Sequence, residues 1–296
     1  MQQPSYPTYQ GRRLPRPDEE VTDQGLGFDL ATLLGRRQML RALGAGAAVL
    51  GLAACSSEPA AQPAGGSLSA GPASASPSTS AAASEPATGV QIPEETQGPF
   101  PGDGSNGPDI LDRSGVVRSD VRADLDGSGP VEGVPLALEL TVRDVAGGSP
   151  LTGAAVYIWQ CDRAGLYSMY SDGAARRTFL RGVQIADGSG KVRFTSVFPG
   201  CYPGRWPHIH FEVYPDRAAI TDHTTVLATS QLAFPKDVCE QVYAEAGYRR
   251  SAGNLADISL ETDMVFRDDL AAHQTAAVTG DPARGYRATL AVDVRG

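Results

Sequence analysis

Two histidines separated by one residue are the side chains of this 296-residue sequence that are best spaced to bind a metal ion. His208 and His210 lie in the stretch 199–211, which also contains Tyr202 and Arg205. Side chains on a β-strand alternate between its two faces, so both imidazoles would point to one side and could chelate a single ion. A lone His-x-His pair is more often simply the polar face of a strand. The residues around it must therefore decide between the two interpretations.

The elements that would position this pair are short strands separated by turn residues. Ile209 and Phe211 flank the histidines on the opposite face and would point into a core. Alternating or β-branched segments predict further strands, and one segment predicts a short helix at 236–246. The predicted strands cover 136–144, 154–160, 180–185, 191–197, 208–214, 224–234 and 286–294. This pattern predicts an all-β fold, a β-sandwich core with long loops and few short helices.

The N-terminal region has the features of an export signal rather than of a folded domain. The pair Arg36-Arg37 precedes an apolar run at 42–54, which is too short to span a bilayer but suits a signal peptide. The run ends at Leu52-Ala53-Ala54-Cys55, which resembles a lipoprotein cleavage site, and a short buried helix is the alternative. We therefore predict that residues 1–55 are a twin-arginine-type lipoprotein signal. Acylation of Cys55 would make the protein an exported lipoprotein attached to the cell membrane.

Composition separates a linker from a segment that is able to fold. Residues 56–92 consist mostly of Ala, Ser, Pro and Gly, which predicts a disordered linker because such a segment buries little apolar surface. Residues 93–296 are long enough for one well-packed domain. The net charge of −9 and the absence of basic stripes argue against nucleic acid as a partner.

Two motifs in the predicted domain point to a known family. Gly165-Leu166-Tyr167 follows the strand at 154–160, and the later stretch has the pattern Tyr-x-Gly-Arg-x-x-His-x-His from Tyr202 to His210. Together they resemble the intradiol ring-cleavage dioxygenases, which include catechol and protocatechuate dioxygenases. The resemblance covers roughly residues 95–240.

The resemblance implies a ferric ion, Fe(3+), held by two tyrosinates and two histidines. By motif the metal ligands are Tyr167, Tyr202, His208 and His210. Ferric iron is a hard acid, phenolates are hard anionic donors, and a bound cation favours loss of the phenol proton although free tyrosine has a pKa of about 10. Two phenolates and two neutral imidazoles leave a site of net charge +1, unlike the two-histidine, one-carboxylate site of ferrous oxygenases.

The resemblance also implies roles in cleaving a catechol with dioxygen to a muconate-type diacid. The substrate would displace Tyr202, which would then act as the base that takes a catechol proton. Arg205 would stabilise negative charge developing on the ring. Gln231 matches a family glutamine in the strand after the histidines. Taken singly, each of these residues could equally have an ordinary structural role, and only the joint pattern favours the catalytic interpretation.

Two other functions are compatible with an exported β-sandwich. One is a binding module for aromatic or carbohydrate polymers without ring-cleavage activity, although a relic site would be expected to lose ligands. The other is a structural zinc or copper site, which is weaker because tyrosine is an unusual zinc ligand. The sequence does not reveal which catechol is the substrate. The oligomeric state is also open, because the export signal and linker occupy the place of the helical dimerisation region of cytoplasmic relatives.

The cysteines predict one disulfide. With Cys55 acylated, Cys161, Cys201 and Cys239 remain for an oxidising compartment. If the strands 208–214 and 224–234 form a hairpin, the start of one lies near the end of the other. We therefore predict a Cys201–Cys239 bridge, which would tie down the loop that carries Tyr202.

Overall fold

The computed structural model describes residues 89–295, together with two short paired strands, β1 (Thr8–Tyr9) and β2 (Arg12–Arg13). The predicted twin-arginine pair, Cys55 and the linker up to residue 88 lie outside the described residues. No helix in the described part of the chain has the length and apolarity needed to cross a membrane.

Eight strands in two four-stranded sheets build the described domain. In the first sheet the order is β6-β3-β10-β9, and in the second it is β5-β4-β7-β8. All neighbouring strands are antiparallel except β3 and β10, which are parallel. The strands are β3 Pro135–Asp144, β4 Ala155–Trp159, β5 Arg181–Ile185, β6 Lys191–Val197, β7 His208–Tyr214, β8 Ala228–Ala233, β9 Ala277–Asp281 and β10 Gly285–Val294. The predicted all-β sandwich is confirmed.

Two short helices complete the regular structure. α1 (Lys236–Tyr243) matches the predicted helix at 236–246 apart from its end, whereas α2 (Arg249–Ala256) and β9 were not predicted. The predicted strand at 224–234 begins only at Ala228. Its first residues form a 3-10 turn instead, because the Asp222 carboxylate accepts hydrogen bonds from the backbone N–H and the hydroxyl of Thr224.

The second sheet is buried on both faces, and this explains why every residue of β4 and β7 is buried. On the inner face Ile209, Phe211 and Val213 join the main core between the sheets, as predicted for the first two. On the opposite face, loops cover a second apolar cluster that includes Tyr157 and Trp159. His208 and His210 lie on this loop-covered face.

The first sheet instead turns one face to solvent. Burial alternates along β6, as expected for a half-buried strand. On the outer face, the Glu139 carboxylate of β3 accepts hydrogen bonds from Lys191, Arg193 and Arg287 at 2.7–3.0 Å. The two sheets therefore differ in what covers their outward faces, and only the second forms a closed interior there.

Candidate metal centre

The two histidines of β7 face each other at the end of the second sheet. His208 and His210 are 2% and 3% exposed, and their Nε2 atoms are 3.1 Å apart. Both histidines lie in the ladder of β7 with β8, and His210 also lies opposite Trp159 in the ladder with β4, so strand pairing fixes the backbone of this chelating pair. The prediction that both imidazoles share one face is confirmed.

The surroundings orient the two rings. His208 Nδ1 donates a hydrogen bond to the Trp206 carbonyl oxygen, which leaves the Nε2 lone pair directed into the site. The His210 ring stacks on Trp159 with ring centroids 4.8 Å apart and planes within 7°. An added Cβ at Gly98, which has φ +70°, would lie 3.3 Å from His210 Cε1, so glycine lets the backbone pass close to the ring.

The two tyrosines reach the same place from loops. Tyr202, half-buried, lies in the loop before β7 with its hydroxyl 3.2 Å from His208 Nε2. Tyr167 follows the turn after β4, and its buried hydroxyl has no hydrogen-bond partner among the described residues. The Tyr167 ring centroid lies 5.8 Å from that of Tyr202 and 6.3 Å from that of His210. The four predicted ligands thus form one cluster.

The Gly-x-Tyr motif has a local structural reason. The Asp162 carboxylate accepts hydrogen bonds from the backbone N–H groups of Ala164 and Leu166, which closes the turn before Tyr167. Gly165 has φ +86°, and an added Cβ would lie 3.3 Å from Tyr202 Cβ. Glycine is therefore required both by the left-handed backbone and by the close approach of the second tyrosine loop.

Burial sets the protonation states of the four side chains. It lowers the pKa of His208 to about 3, with Arg205 acting in the same direction, and it also places the pKa of His210 well below its ordinary value. Burial raises the pKa of Tyr202 to about 12 against the effect of Arg205, and that of Tyr167 well above its ordinary value. Without a cation the site therefore holds neutral imidazoles and neutral phenols.

A cation would satisfy this cluster. It would accept the lone pairs of two Nε2 atoms only 3.1 Å apart, and it would give a partner to the unpartnered Tyr167 hydroxyl. No group of three or more His, Cys, Asp or Glu is clustered within residues 89–295, so Tyr side chains must complete any metal site here. Two imidazoles and two phenols fit a hard trivalent ion such as ferric iron better than zinc.

Arg205 and Gln231 lie beside the cluster and bind each other. Arg205 Nη2 donates to Gln231 Oε1 at 2.6 Å, and Gln231 Nε2 donates to the Thr96 carbonyl oxygen at 2.9 Å. Gln231 stands opposite His210 in the β7–β8 register and so shares its face of the sheet. The Phe266 ring connects Arg205 to the histidines, since its centroid is 5.8 Å from Arg205 Cζ and 6.4 Å from the His208 centroid.

The sequence prediction did not include Asp263. This buried residue accepts a hydrogen bond from Arg205 Nε at 3.0 Å. Nothing in the spacing around position 263 marks it, because its partner lies 58 residues earlier in the chain.

Trp159, which stacks on His210, is a second neighbour of the site that was not assigned a role from the sequence. Tyr157 and Trp159 alternate along β4, and this alternation was the one signal that could have indicated which face Trp159 occupies.

The predicted disulfide is not formed in the structure. Cys161, Cys201 and Cys239 are all buried free thiols. The Cys201 thiol donates instead to the Arg205 carbonyl oxygen at 3.4 Å, and its backbone is held by hydrogen bonds to Ser251 and Asn254. The loop that carries Tyr202 is therefore anchored by hydrogen bonds to α2 and not by a Cys201–Cys239 bond.

Comparison with known proteins agrees with this geometry. A family model described as Dioxygenase matches residues 106–244, the segment that contains all six predicted metal-ligand and catalytic residues. A solved intradiol ring-cleavage dioxygenase from Tetranychus urticae shares the fold, with a TM-score of 0.56 and 24% identity over 70% of this chain and 94% of that one. The described domain therefore has the fold of that intradiol ring-cleavage dioxygenase. Residues 106–244 resemble the dioxygenase family of the matching model.

Two curated relatives resemble shorter stretches. Catechol 1,2-dioxygenase of Candida albicans is 41% identical over 56 residues, which are 19% of this chain and 18% of the relative. Hydroxyquinol 1,2-dioxygenase of Corynebacterium glutamicum is 31% identical over 127 residues, 36% of this chain and 41% of the relative. The chain thus spans less than half the length of the curated relatives it matches.

Proposed function

We propose that this protein is a non-haem Fe(III) intradiol dioxygenase that cleaves a catechol-type ring with dioxygen and releases a muconate-type diacid. The observation that carries the proposal is the convergence of two histidine nitrogens and two tyrosine hydroxyls in one buried cluster. Tyr167, Tyr202, His208 and His210 would hold the metal. Ferric iron bound there would supply a Lewis-acidic centre that withdraws electron density from a bound catecholate.

The two tyrosines have unequal positions, and this suggests unequal roles. Tyr167 is 1% exposed and enclosed by apolar side chains, whereas Tyr202 is half-buried in a loop whose next two residues are exposed. Tyr202 is therefore the tyrosine that can withdraw from the cluster when a catechol arrives. Its oxygen, which a bound cation would keep in the phenolate form, would then take a proton from a catechol hydroxyl.

Arg205 and Gln231 would act on the ring. Arg205 Nε and Nη2 are engaged by Asp263 and Gln231, and no partner for Nη1 is found among residues 89–295. Nη1 would therefore be the donor for negative charge that develops on the substrate. The hydrogen bond to Gln231 keeps the guanidinium from rotating away, since Gln231 is itself fixed to the Thr96 carbonyl.

Residues 1–55 support a proposal about location as well. We propose that the protein is exported by a twin-arginine-type signal and attached to the membrane through an acylated Cys55. Labelling with a radioactive fatty acid in cells should mark the wild type and leave Cys55→Ser unlabelled. Label on Cys55→Ser, or a wild type that stays in the cytosol, would contradict it.

Oxygen uptake with product identification tests the activity. The iron-loaded protein should consume dioxygen with catechol, hydroxyquinol or protocatechuate, and mass spectrometry should find a ring-opened diacid. Tyr167→Phe should remove the activity. The matched change Tyr286→Phe should not, because Tyr286 lies on the first sheet and its hydroxyl donates a hydrogen bond to Gln241. Tight binding of these aromatics without oxygen uptake would favour a binding module instead.

A further inference from the structure

The Asp263 carboxylate has both oxygens fully engaged beside the candidate site. Its side chain is 0% exposed. Oδ2 accepts hydrogen bonds from Arg205 Nε at 3.0 Å and from the Trp206 N–H at 2.6 Å, while Oδ1 accepts from the N–H groups of Val265 and Phe266 at 2.8 and 3.0 Å. One buried carboxylate therefore connects Arg205 to the backbone on both sides of the site.

This arrangement fixes the plane of the Arg205 guanidinium. A guanidinium is rigid and planar, so holding Nε and Nη2 at two fixed acceptors determines where Nη1 points. The acceptors are Asp263 Oδ2 and Gln231 Oε1, and the Phe266 ring lies 5.8 Å from Cζ on the third side. With Asp263 removed, a single hydrogen bond to Gln231 would hold the group, and it could rotate about that contact.

The carboxylate also balances charge next to the two histidines. Arg205 is 7% exposed, and burying a guanidinium without a counter-charge is strongly unfavourable. Although burial alone would raise it, the pKa of Asp263 stays below its ordinary value because of Arg205 and the backbone N–H groups of Trp206 and Phe266. The pair is therefore ionised at neutral pH, and Asp263 offsets the repulsion that Arg205 exerts on a cation at the histidines.

We infer that Asp263 is a positioning residue of the active site, which holds Arg205 so that Nη1 faces the substrate. Asp263 lies beyond residues 106–244, the segment matched by the family model, and no motif predicted it. The effect of Asp263 on catalysis rests on the proposed ring-cleavage function. The orientation of Arg205 is independent of that function and can be measured separately.

Hydrogen exchange tests the orientation without any reaction. In the metal-free full-length protein, NMR should show the Arg205 Nε–H exchanging with water far more slowly than the Nε–H of exposed Arg250. Asp263→Asn should remove that protection, and Asp257→Asn, the same change at an exposed aspartate, should leave it. An Arg205 Nε–H that exchanges as fast as that of Arg250 in the wild type would overturn the inference, even where Asp263→Asn does not fold.

Kinetics test the consequence. Asp263→Asn should lower kcat/KM by about 10- to 100-fold, the usual range for a residue that orients an active-site group, with bound iron unchanged. In an Arg205→Gln background, Asp263→Asn should lower kcat/KM little further, because both substitutions remove the same Arg205–Asp263 interaction. Fully additive losses would overturn the positioning role. If the wild type cleaves no ring but its Nε–H is protected, the proposed function fails and the positioning of Arg205 stands.

Discussion

The candidate metal centre draws its donors from two kinds of structure. His208 and His210 lie on β7, a central strand whose ladder with β8 includes both residues and whose ladder with β4 includes His210. Tyr167 and Tyr202 lie on loops, which have no ladder to hold them. The strand supplies a preformed pair of nitrogens, and the loops must be held in place by contacts from elsewhere in the chain.

Those contacts are specific hydrogen bonds. The Ser251 hydroxyl accepts from the Cys201 N–H at 3.0 Å, and Asn254 Nδ2 donates to the Cys201 carbonyl oxygen at 2.7 Å. The other tyrosine loop is held where the Tyr167 N–H donates to the Ser171 hydroxyl at 2.9 Å. The difference teaches that backbone ladders hold the histidines, whereas the tyrosine loops depend on individual side-chain hydrogen bonds, one of them from a residue 53 positions away.

Removing a donor from each region should give the largest contrast. We expect His208→Ala to abolish iron loading, because half of the strand-borne chelating pair is lost. Tyr202→Phe should retain partial loading, but its turnover should fall by about 100-fold or more, since the proposed base is gone. Metal analysis together with oxygen uptake measures both. Wild-type turnover in Tyr202→Phe would exclude the base role.

Straining the contact between the two tyrosine loops should have the next largest effect. Gly165→Ala forces a side chain into a left-handed conformation and against Tyr202 Cβ, so we expect a loss of about 1–2 kcal/mol in the free energy of unfolding, together with weaker iron binding. Urea denaturation and metal analysis measure these effects. Gly153→Ala is the matched control, because Gly153 has φ +87° and an added Cβ there meets nothing within 4 Å. Equal effects of the two changes would contradict the close packing of the loops.

Loosening the anchor on α2 should disturb the Tyr202 loop more than the histidines. Asn254→Ala leaves the Cys201 carbonyl without its donor, which should destabilise the protein by about 1 kcal/mol. Turnover should fall several-fold while iron stays bound, because the β7 ladders are untouched. Arg250→Ala, on the exposed side of the same helix, is the control. Loss of iron with unchanged turnover per bound iron would contradict the role of Asn254 in holding the Tyr202 loop.

The smallest expected effect on the metal centre itself concerns Glu95, next to the Thr96 carbonyl that binds Gln231. Burial raises the pKa of Glu95 to about 8, and the negative charges of Asp268 and Asp269 act in the same direction. The hydrogen bond from Gln274 and the positive charge of Arg205 lower the pKa but only partly offset the burial. In the unfolded chain the carboxyl has its ordinary pKa of 4.5. The folded state thus binds one more proton between these values.

The free energy of unfolding should therefore fall as pH rises from 4.5 to about 8, by at most about 1.4 kcal/mol per pH unit from this group, and level off above. Glu95→Gln should flatten that part of the profile, and Glu245→Gln, at an exposed position, should not. Denaturation curves across this range provide the measurement. An unchanged slope in Glu95→Gln would mean that the carboxyl is already ionised at neutral pH.

The difference between the strand that carries the histidines and the loops that carry the tyrosines also explains how much of the site the sequence could predict. Alternation along β7 indicated both the shared face of the histidines and the core position of Ile209 and Phe211, because a strand repeats every two residues. The Gly-x-Tyr motif added Tyr167 to the predicted metal ligands, although nothing in the local sequence connects it to His208. Asp263 and Asn254 escaped prediction because their partners are brought near only by the folded loops.

The predicted Cys201–Cys239 bond failed for a related reason. The hairpin of β7 and β8, on which that prediction depended, is present, and Cys201 and Cys239 belong to one core cluster. Proximity does not fix the direction of a side chain, however. The Cys201 thiol points to the Arg205 carbonyl, a contact within its own loop that no pattern of spacing reveals.

The most direct test of the account is the visible and resonance Raman spectrum of protein purified from iron-replete cells. We predict a coloured protein with stoichiometric iron, tyrosinate vibrations enhanced in its charge-transfer band, and loss of the band in Tyr167→Phe. A colourless, iron-free protein would contradict the central claim. So would an iron-containing protein whose spectrum is unchanged by both Tyr167→Phe and Tyr202→Phe.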